Sequence, residues 1–280
     1  MKCGYFVSFD PQFPLEENCP PFCDLEDKKL LTLVGGALGV ILPVYLSPVR
    51  YRAITHHAKD WFPNLEPRFL YKGKCSQIEL FRQSGVRHPE SILFHSPSAM
   101  VEAVQWGRLS WEYPFVMKGD SGGGGVSVFP VHDHKDLQRG CAKLKRNEPA
   151  LVQRWIQHGG RDLRVVVYGD RAFSYFRVGD GSFYNNVCRG GRLDHRSHEA
   201  MQQRGRLAVL KLCGKASIHV AGFDLMFPDE GPPVFVEINF HFGRKGLGGT
   251  GQHRRHMGEA IQRWCAMKGN RQTNVTPRGL

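Results

Sequence analysis

This 280-residue sequence lacks the short signatures that usually settle a protein's class. Its eight cysteines, Cys3, Cys19, Cys23, Cys75, Cys141, Cys188, Cys213 and Cys265, are scattered, and none forms C-x-x-C. A chain of this length buries a core without covalent staples, so the spacing argues against a disulfide-framed secreted scaffold and for reduced thiols. Cys3, Cys19 and Cys23 could share a metal, but no fourth ligand stands at a convincing spacing. There is no zinc-finger spacing and no RNP-like aromatic strand, so no specific nucleic-acid partner is expected. No internal repeat is found, and Met1–Pro14 lacks the apolar core of a secretory signal.

Charge is absent from one stretch, Leu30–Val49, about 20 positions and long enough to span a bilayer. Pro43, Pro48, the Gly35–Gly36 pair, Gly39 and basic flanks argue against a membrane helix. The stretch reads instead as a glycine-containing turn followed by a β-like run, Val40–Leu46, in a cytoplasmic protein.

Positive charge is plentiful: the net charge is +12 and the pI about 9.5. Such a surplus suits an anionic partner, whether nucleotide, acidic peptide, nucleic acid or membrane surface, and equally a solvated basic surface. Residues 1–71 are proline-rich and irregular, with a strand near Gly4–Phe9. From there the pattern becomes regular. Helices are predicted over Cys75–Ser84 (stopped by Gly85), Ser98–Gly107, Asp133–Arg146, Glu199–Cys213 and Met257–Met267. Strands are predicted at Phe115–Lys118, Val126–Phe129, Ala150–Ile156, Leu163–Tyr168, Ala172–Arg177, Val220–Met226 and Val234–Asn239. Residues 268–280 read as a frayed tail. The fold class is α+β, dominated by antiparallel sheets.

Three constellations carry chemistry. Lys118 precedes a loop, Gly119–Val126, with four consecutive glycines, Gly122 to Gly125. Backbone of that kind can approach an anion and aim several N–H groups at it. The order is not that of a Walker A loop, and a flexible hairpin would look the same. Asp224 lies on one strand, with Glu237 and Asn239 two apart on the next and so on one face. Two carboxylates and an amide oxygen suit Mg²⁺, which keeps several non-protein ligands. Solvated strand polars are the alternative, although the flanking Phe223, Leu225, Val236 and Ile238 imply a well-buried sheet. Between these lie Asp162, Arg164, Arg177, the Phe183–Asn186 segment and Arg189–Gly190–Gly191. Arginines there could neutralise charge developing on a transferred phosphoryl group, or could be surface residues.

In this order the pieces resemble an ATP-grasp enzyme, most closely the RimK-like carboxylate–amine ligases. Lys74 with its helix, Gly85 and Pro89 resembles the entry segment of that branch. Pro114–Val126 resembles its strand, lysine and glycine-loop unit, and Leu151–Ile156 its adenine hinge. Asp162–x–Arg164, Asn186 with Arg189–Gly190–Gly191, Ala221–Asp224, and Glu237–Asn239 with Gly243 complete the series, from about Lys72 to Gly249. The resemblance implies an ATP-grasp fold of two α+β subdomains with antiparallel sheets clasping ATP. It assigns a reduced or divergent N-terminal region to 1–71 and the ATP-grasp domain to 72–267, divided at 149/150.

By the same resemblance, Lys74 and Lys118 contact phosphates under the loop Gly122, Gly123 and Gly124. Gln153, Arg154, Trp155 and Ile156 bind adenine, Asp162 the ribose, and Tyr184 and Asn185 also contact the nucleotide. Arg177 and Asn186 are implied as catalytic, near the γ-phosphate and an acyl phosphate. Asp224, Glu237 and Asn239 are implied to hold Mg²⁺, with Mn²⁺ as a substitute. The implied activity is ADP-forming ligation of a carboxylate to an amine. Small-molecule or peptide substrates fit, with a lean toward acidic ones, and a homo-oligomer is left open. A nucleotide-binding regulatory protein of the same fold is the alternative. The chain departs from the family where Arg154 replaces an acidic hinge residue, where His241–Phe242–Gly243 with Arg244 and Lys245 replaces Ser-Pro-Gly, and in its short N-terminal region without a βαβ rhythm.

Overall fold

A five-stranded antiparallel sheet forms the platform of the molecule. The structure, a computed structural model, describes residues 4–108, 111–179, 191–229 and 231–273. The platform strands are β9 (Arg161–Tyr168), β10 (Arg171–Val178), β11 (Arg192–Asp194), β12 (Val220–Met226) and β13 (Val234–Asn239), with helix α7 (Glu199–Ala216) crossing beneath. The order is β11-β10-β9-β12-β13, so β13 is an edge. Alternation along these strands separates two faces. Leu163, Val165, Ala221, Phe223 and Leu225 turn to one side and form a core with Val209 and Leu212 of α7. Helix α4 (Lys74–Ser84) adds Ile78 and Phe81 to the same core and ends at Gly85, whose φ of 65° suits glycine. Each such side chain, fully buried, contributes about 1.5–3 kcal/mol.

A second antiparallel sheet faces the platform's other side, in the order β5-β8-β6-β7. Its strands are β5 (Ser91–Phe94), β6 (Phe115–Gly119), β7 (Val128–Val131) and β8 (Ala150–Arg154). Helices α5 (Pro97–Gln105) and α6 (His134–Cys141) pack Met100 and Leu137 behind it, against Met117 and Val152. Ser96 caps α5 and Asp133 caps α6, each side chain accepting a backbone N–H three residues on. Helix α6 ends at Cys141, five residues before the predicted Arg146.

The N-terminal region departs most from the sequence reading. Strands β1 (Phe6–Ser8), β2 (Glu17–Asn18), β3 (Gly39–Ile41) and β4 (Trp61–Phe62) form an all-parallel sheet in the order β2-β1-β3-β4. Helices α1 (Lys28–Gly36) and α2 (Pro48–Thr55) make the crossovers, and α3 (Glu66–Leu70) leads out. A βαβ winding is therefore present where none was read, because two- and three-residue strands are too short to show a period. The uncharged stretch divides among α1, β3 and the start of α2, and Gly35 and Gly36 close a helix rather than a turn. Among the described residues, no helix is long and apolar enough to cross a membrane.

Helix α8 (Gly249–Thr273) binds the N-terminal sheet to the platform. Trp264 sits in one cluster with Phe6, Ile41, Phe62 and Tyr168. The predicted tail instead continues α8 to Thr273: Lys268 lies over the Trp264 ring at 5.6 Å and pairs with Asp60.

Candidate functional site

The polar face of the platform carries its charges in register. Arg177 lies opposite Asp162, Asp224 opposite Arg164, and Glu237 opposite Asp224, across four neighbouring strands. Arg164 donates Nε–H to Asp224 Oδ1 at 2.5 Å and Nη2–H to Oδ2 at 3.2 Å. Arg177 donates Nε–H to Asp162 Oδ1 at 2.6 Å, and its Nη2 lies 3.0 Å from Asp224 Oδ1. All four residues are buried, so neither arginine is a surface residue. Burial works against the Asp224 carboxylate, yet Arg164 and Arg177 together hold its pKa below the usual range.

A bulge shapes the edge strand. Asp224 pairs with Glu237 but Leu225 pairs with Phe235, which leaves Val236 as the extra residue. Val236, grouped with the apolar flank in the sequence, therefore lines the cleft together with Glu237. Glu237 has its pKa raised, by burial above all, with Lys74 opposing.

The facing sheet contributes Val116, Lys118 and Gln153. Lys118 is buried, its ammonium has no hydrogen-bond or ion-pair partner among the described residues, and burial pushes it down to about 8. Glu237 and Asp224 pull it the other way. A buried ammonium left unpaired is costly and is a strong attractor for an anion.

Two cavities meet here. The first, with about 830 Å³ of open space, is lined by Lys118, Gly125, Gln153 to Ile156, Asp162, Arg177, Asp224, Val236 and Glu237 among others. At its hinge end, Gln153 donates its side-chain amide to Ser91 Oγ at 2.9 Å. The Arg154 side chain turns away to Glu90 Oε2 at 2.8 Å and lies over the Trp111 ring at 5.2 Å. Backbone is therefore what this arginine offers the cavity. The second cavity, about 1450 Å³, is lined by Lys72, Lys74, Gly122, Gly123, Glu148, Asn239 and His241, and reaches Arg68 and Phe69 of the N-terminal region. Glu237 is the one described residue lining both. Gly124 lines neither.

The glycine loop is tied down by Asp120, which sequence reasoning missed. Its carboxylate accepts the Cys75 N–H at 2.7 Å and its carbonyl the Lys74 N–H at 3.1 Å, capping α4 from another segment. Lys74 reaches back, donating Nζ–H to the Gly122 carbonyl at 2.8 Å, and lies 3.9 Å from Glu237. No local signal marks a cap supplied from 45 residues away. Tyr184, Asn185 and Asn186 lie outside the described residues. Phe242, in the divergent loop, packs edge-on against Tyr168 at 6.0 Å.

Among the described residues, no three His, Cys, Asp or Glu side chains are grouped to hold a metal ion. Any cation would need the amide of Asn239. That residue donates Nδ2–H to Asp224 Oδ2 at 3.3 Å, which leaves its carbonyl oxygen uncommitted among the described residues. Two carboxylates and one amide oxygen fit a hard divalent ion that retains water or phosphate ligands.

No family model matches the sequence. A beta-citrylglutamate synthase B of Danio rerio is 30% identical over 134 residues, which cover 47% of this chain and 32% of that protein. An N-acetylaspartylglutamate synthase A of Homo sapiens is 28% identical over 134 residues, 47% of this chain and 34% of that one. The chain thus spans about a third of the length of the curated relatives it matches. Among solved structures, a D-alanine–D-alanine ligase from Bacillus anthracis complexed with ATP superposes with a TM-score of 0.60 at 15% identity, covering 91% of this chain and 87% of that one. A RimK domain ATP-grasp protein from Sphaerobacter thermophilus gives 0.57 at 14%, covering 80% and 81%. The chain has the ATP-grasp fold, and its sequence is similar to RimK-like synthases.

Proposed function

We propose that this ATP-grasp chain is a carboxylate–amine ligase that binds ATP in the first cavity. The observation that carries the reading is convergence: a buried unpaired lysine, a hinge strand and an aspartate–arginine–glutamate platform, from separate stretches, line one cavity. Adenine lies against the backbone at Arg154, Trp155 and Ile156, with Gln153 behind it. Asp162 takes the ribose through the oxygen not committed to Arg177. Lys118 and Lys74 meet the phosphates under Gly122, Gly123 and Gly124, and Tyr184 and Asn185 complete the nucleotide contacts. Residues 72–149 and 150–267 act as the two parts of this unit, in a cytoplasmic protein.

A substrate carboxylate oxygen attacks the γ-phosphorus, and the bridging oxygen leaves with ADP. The amine nitrogen then attacks the acyl carbon, phosphate departs and the nitrogen gives up a proton. Arg177 offsets charge on the phosphoryl group, Asn186 offers it an amide hydrogen bond, and positioning supplies most of the catalysis. Asp224, Glu237 and Asn239 would hold magnesium or manganese, which supplies positive charge beside the phosphate oxygens. The carboxylate and amine enter through the second cavity. The basic surplus, and the glutamate in both curated relatives' names, support acidic substrates.

The test is release of ADP and phosphate from ATP and Mg²⁺ with a panel of amino acids, peptides and small acids. Glu237→Gln is expected to abolish the magnesium-dependent release while circular dichroism stays that of the wild type. Wild-type turnover in that variant overturns the metal assignment.

A further inference from the structure

The geometry points to Gln77 as the residue that positions the metal-holding strand, an inference resting on the reading of Asp224, Glu237 and Asn239 as metal ligands. β13 is an edge strand, so its outward backbone groups have no neighbouring strand to pair with. At Ile238, the residue between Glu237 and Asn239, a side chain replaces that neighbour. Gln77 accepts the Ile238 N–H on Oε1 at 2.8 Å and donates Nε2–H to the Ile238 carbonyl at 2.9 Å. The same Nε2 donates to the Tyr71 carbonyl at 3.2 Å. One orientation of the amide satisfies all three contacts, since a flip would set N–H against N–H and oxygen against oxygen. Gln77 is 4% exposed, so these bonds are shielded from water.

The consequence lies in where the pinned peptide sits. Ile238 turns its own side chain to the apolar core, while Glu237 and Asn239 on either side line the second cavity. Fixing the two peptide units that flank Ile238 fixes the Glu237 and Asn239 side chains together. The outer edge is also held at Phe235, whose N–H the Arg87 carbonyl accepts at 2.8 Å, but among the described residues the outward groups of Ile238 bond to Gln77 alone. Gln77 lies three residues after Lys74 on α4, so one helix face sets both the strand and the Lys74 ammonium near Glu237. Outer contacts of this kind orient ligands without touching the ion.

Gln77→Met keeps the length of the side chain and removes all three bonds. In full-length protein the Ile238 amide is expected to exchange with deuterium at least about tenfold faster, as expected when a protecting bond is lost. Mn²⁺ affinity, read by electron paramagnetic resonance with a non-hydrolysable ATP analogue, is expected to weaken about 10–100-fold. Metal-free affinity for the analogue stays unchanged, which a general loosening of the fold would not allow. Unchanged Ile238 exchange overturns the pinning, and unchanged Mn²⁺ affinity with a labile Ile238 overturns the positioning role. Failure of the wild type to bind Mn²⁺ with the analogue removes the ligase reading and this inference with it. Gln77→Leu also removes all three bonds and serves if Gln77→Met does not fold: slow Ile238 exchange in that variant overturns the assignment.

Discussion

On the proposed reading, the Lys118 ammonium, unpaired among the described residues, makes nucleotide binding depend on pH in a way that can be worked out beforehand. Burial pushes its pKa down to about 8. Roughly nine-tenths of molecules therefore carry the charge at pH 7 and roughly one-tenth at pH 9. A triphosphate beside Lys118 restores the proton, so affinity for a non-hydrolysable ATP analogue is expected to fall about tenfold between those pH values. Titration calorimetry in buffers of different ionisation enthalpy will show uptake approaching one proton per nucleotide at pH 9. Lys118→Arg, which keeps its charge throughout, serves as the control: the nucleotide's own titration is common to both proteins. Equal pH profiles in the wild type and Lys118→Arg, or no proton uptake at pH 9, would refute the reasoning.

The same shift has a stability side with a definite sign. The unfolded chain holds the Lys118 proton up to the ordinary lysine value of 10.5, while the folded chain loses it near 8. The cost of burying the charge is thus fully present below pH 8 and is relieved as pH rises toward 10.5. Lys118→Met should remove that cost, raising stability at pH 7 by up to about 3 kcal/mol while weakening nucleotide binding. Urea denaturation at pH 7 measures it, and a destabilised variant contradicts the account.

Two further substitutions separate buried from exposed arginines. Arg164→Ala leaves Asp224 in the interior with only Arg177 and Asn239, and is expected to cost about 3 kcal/mol in urea denaturation; a loss under about 1 kcal/mol would mean that water reaches the carboxylate. Arg154→Ala, whose side chain turns outward to Glu90, should leave nucleotide affinity at the wild-type value, and a clear loss would place its guanidinium in the cavity after all.

Four platform strands, β9, β10, β12 and β13, were readable because they run six to eight residues, whereas three-residue β11 was not. Leu163, Val165 and Val167 against Asp162 and Arg164 can have one arrangement only, apolar side chains to the helices and charges to the cleft. The pairing of Asp224 with Glu237 followed from their being joined by a short turn. What escaped was of two kinds. The parallel sheet of the N-terminal region has strands of two or three residues, whose partners are chosen by the burial of Val7, Val40 and Phe62 rather than by any period. The other kind is contact between segments: Asp120 capping α4 and Val236 bulging into the cleft depend on neighbours far away in the chain or across the sheet.

The shared wall at Glu237 bears on how two reactants find each other. The first cavity is lined by Pro89 and Trp155 at the hinge, and the second by Lys72 and by Arg68 and Phe69 of the N-terminal region. On the proposed reading, reactants held in separate cavities do not have to queue. On that reading either reactant can load first, and among the described residues the two cavities share a single carboxylate. Kinetic order would then be set by affinities rather than by access.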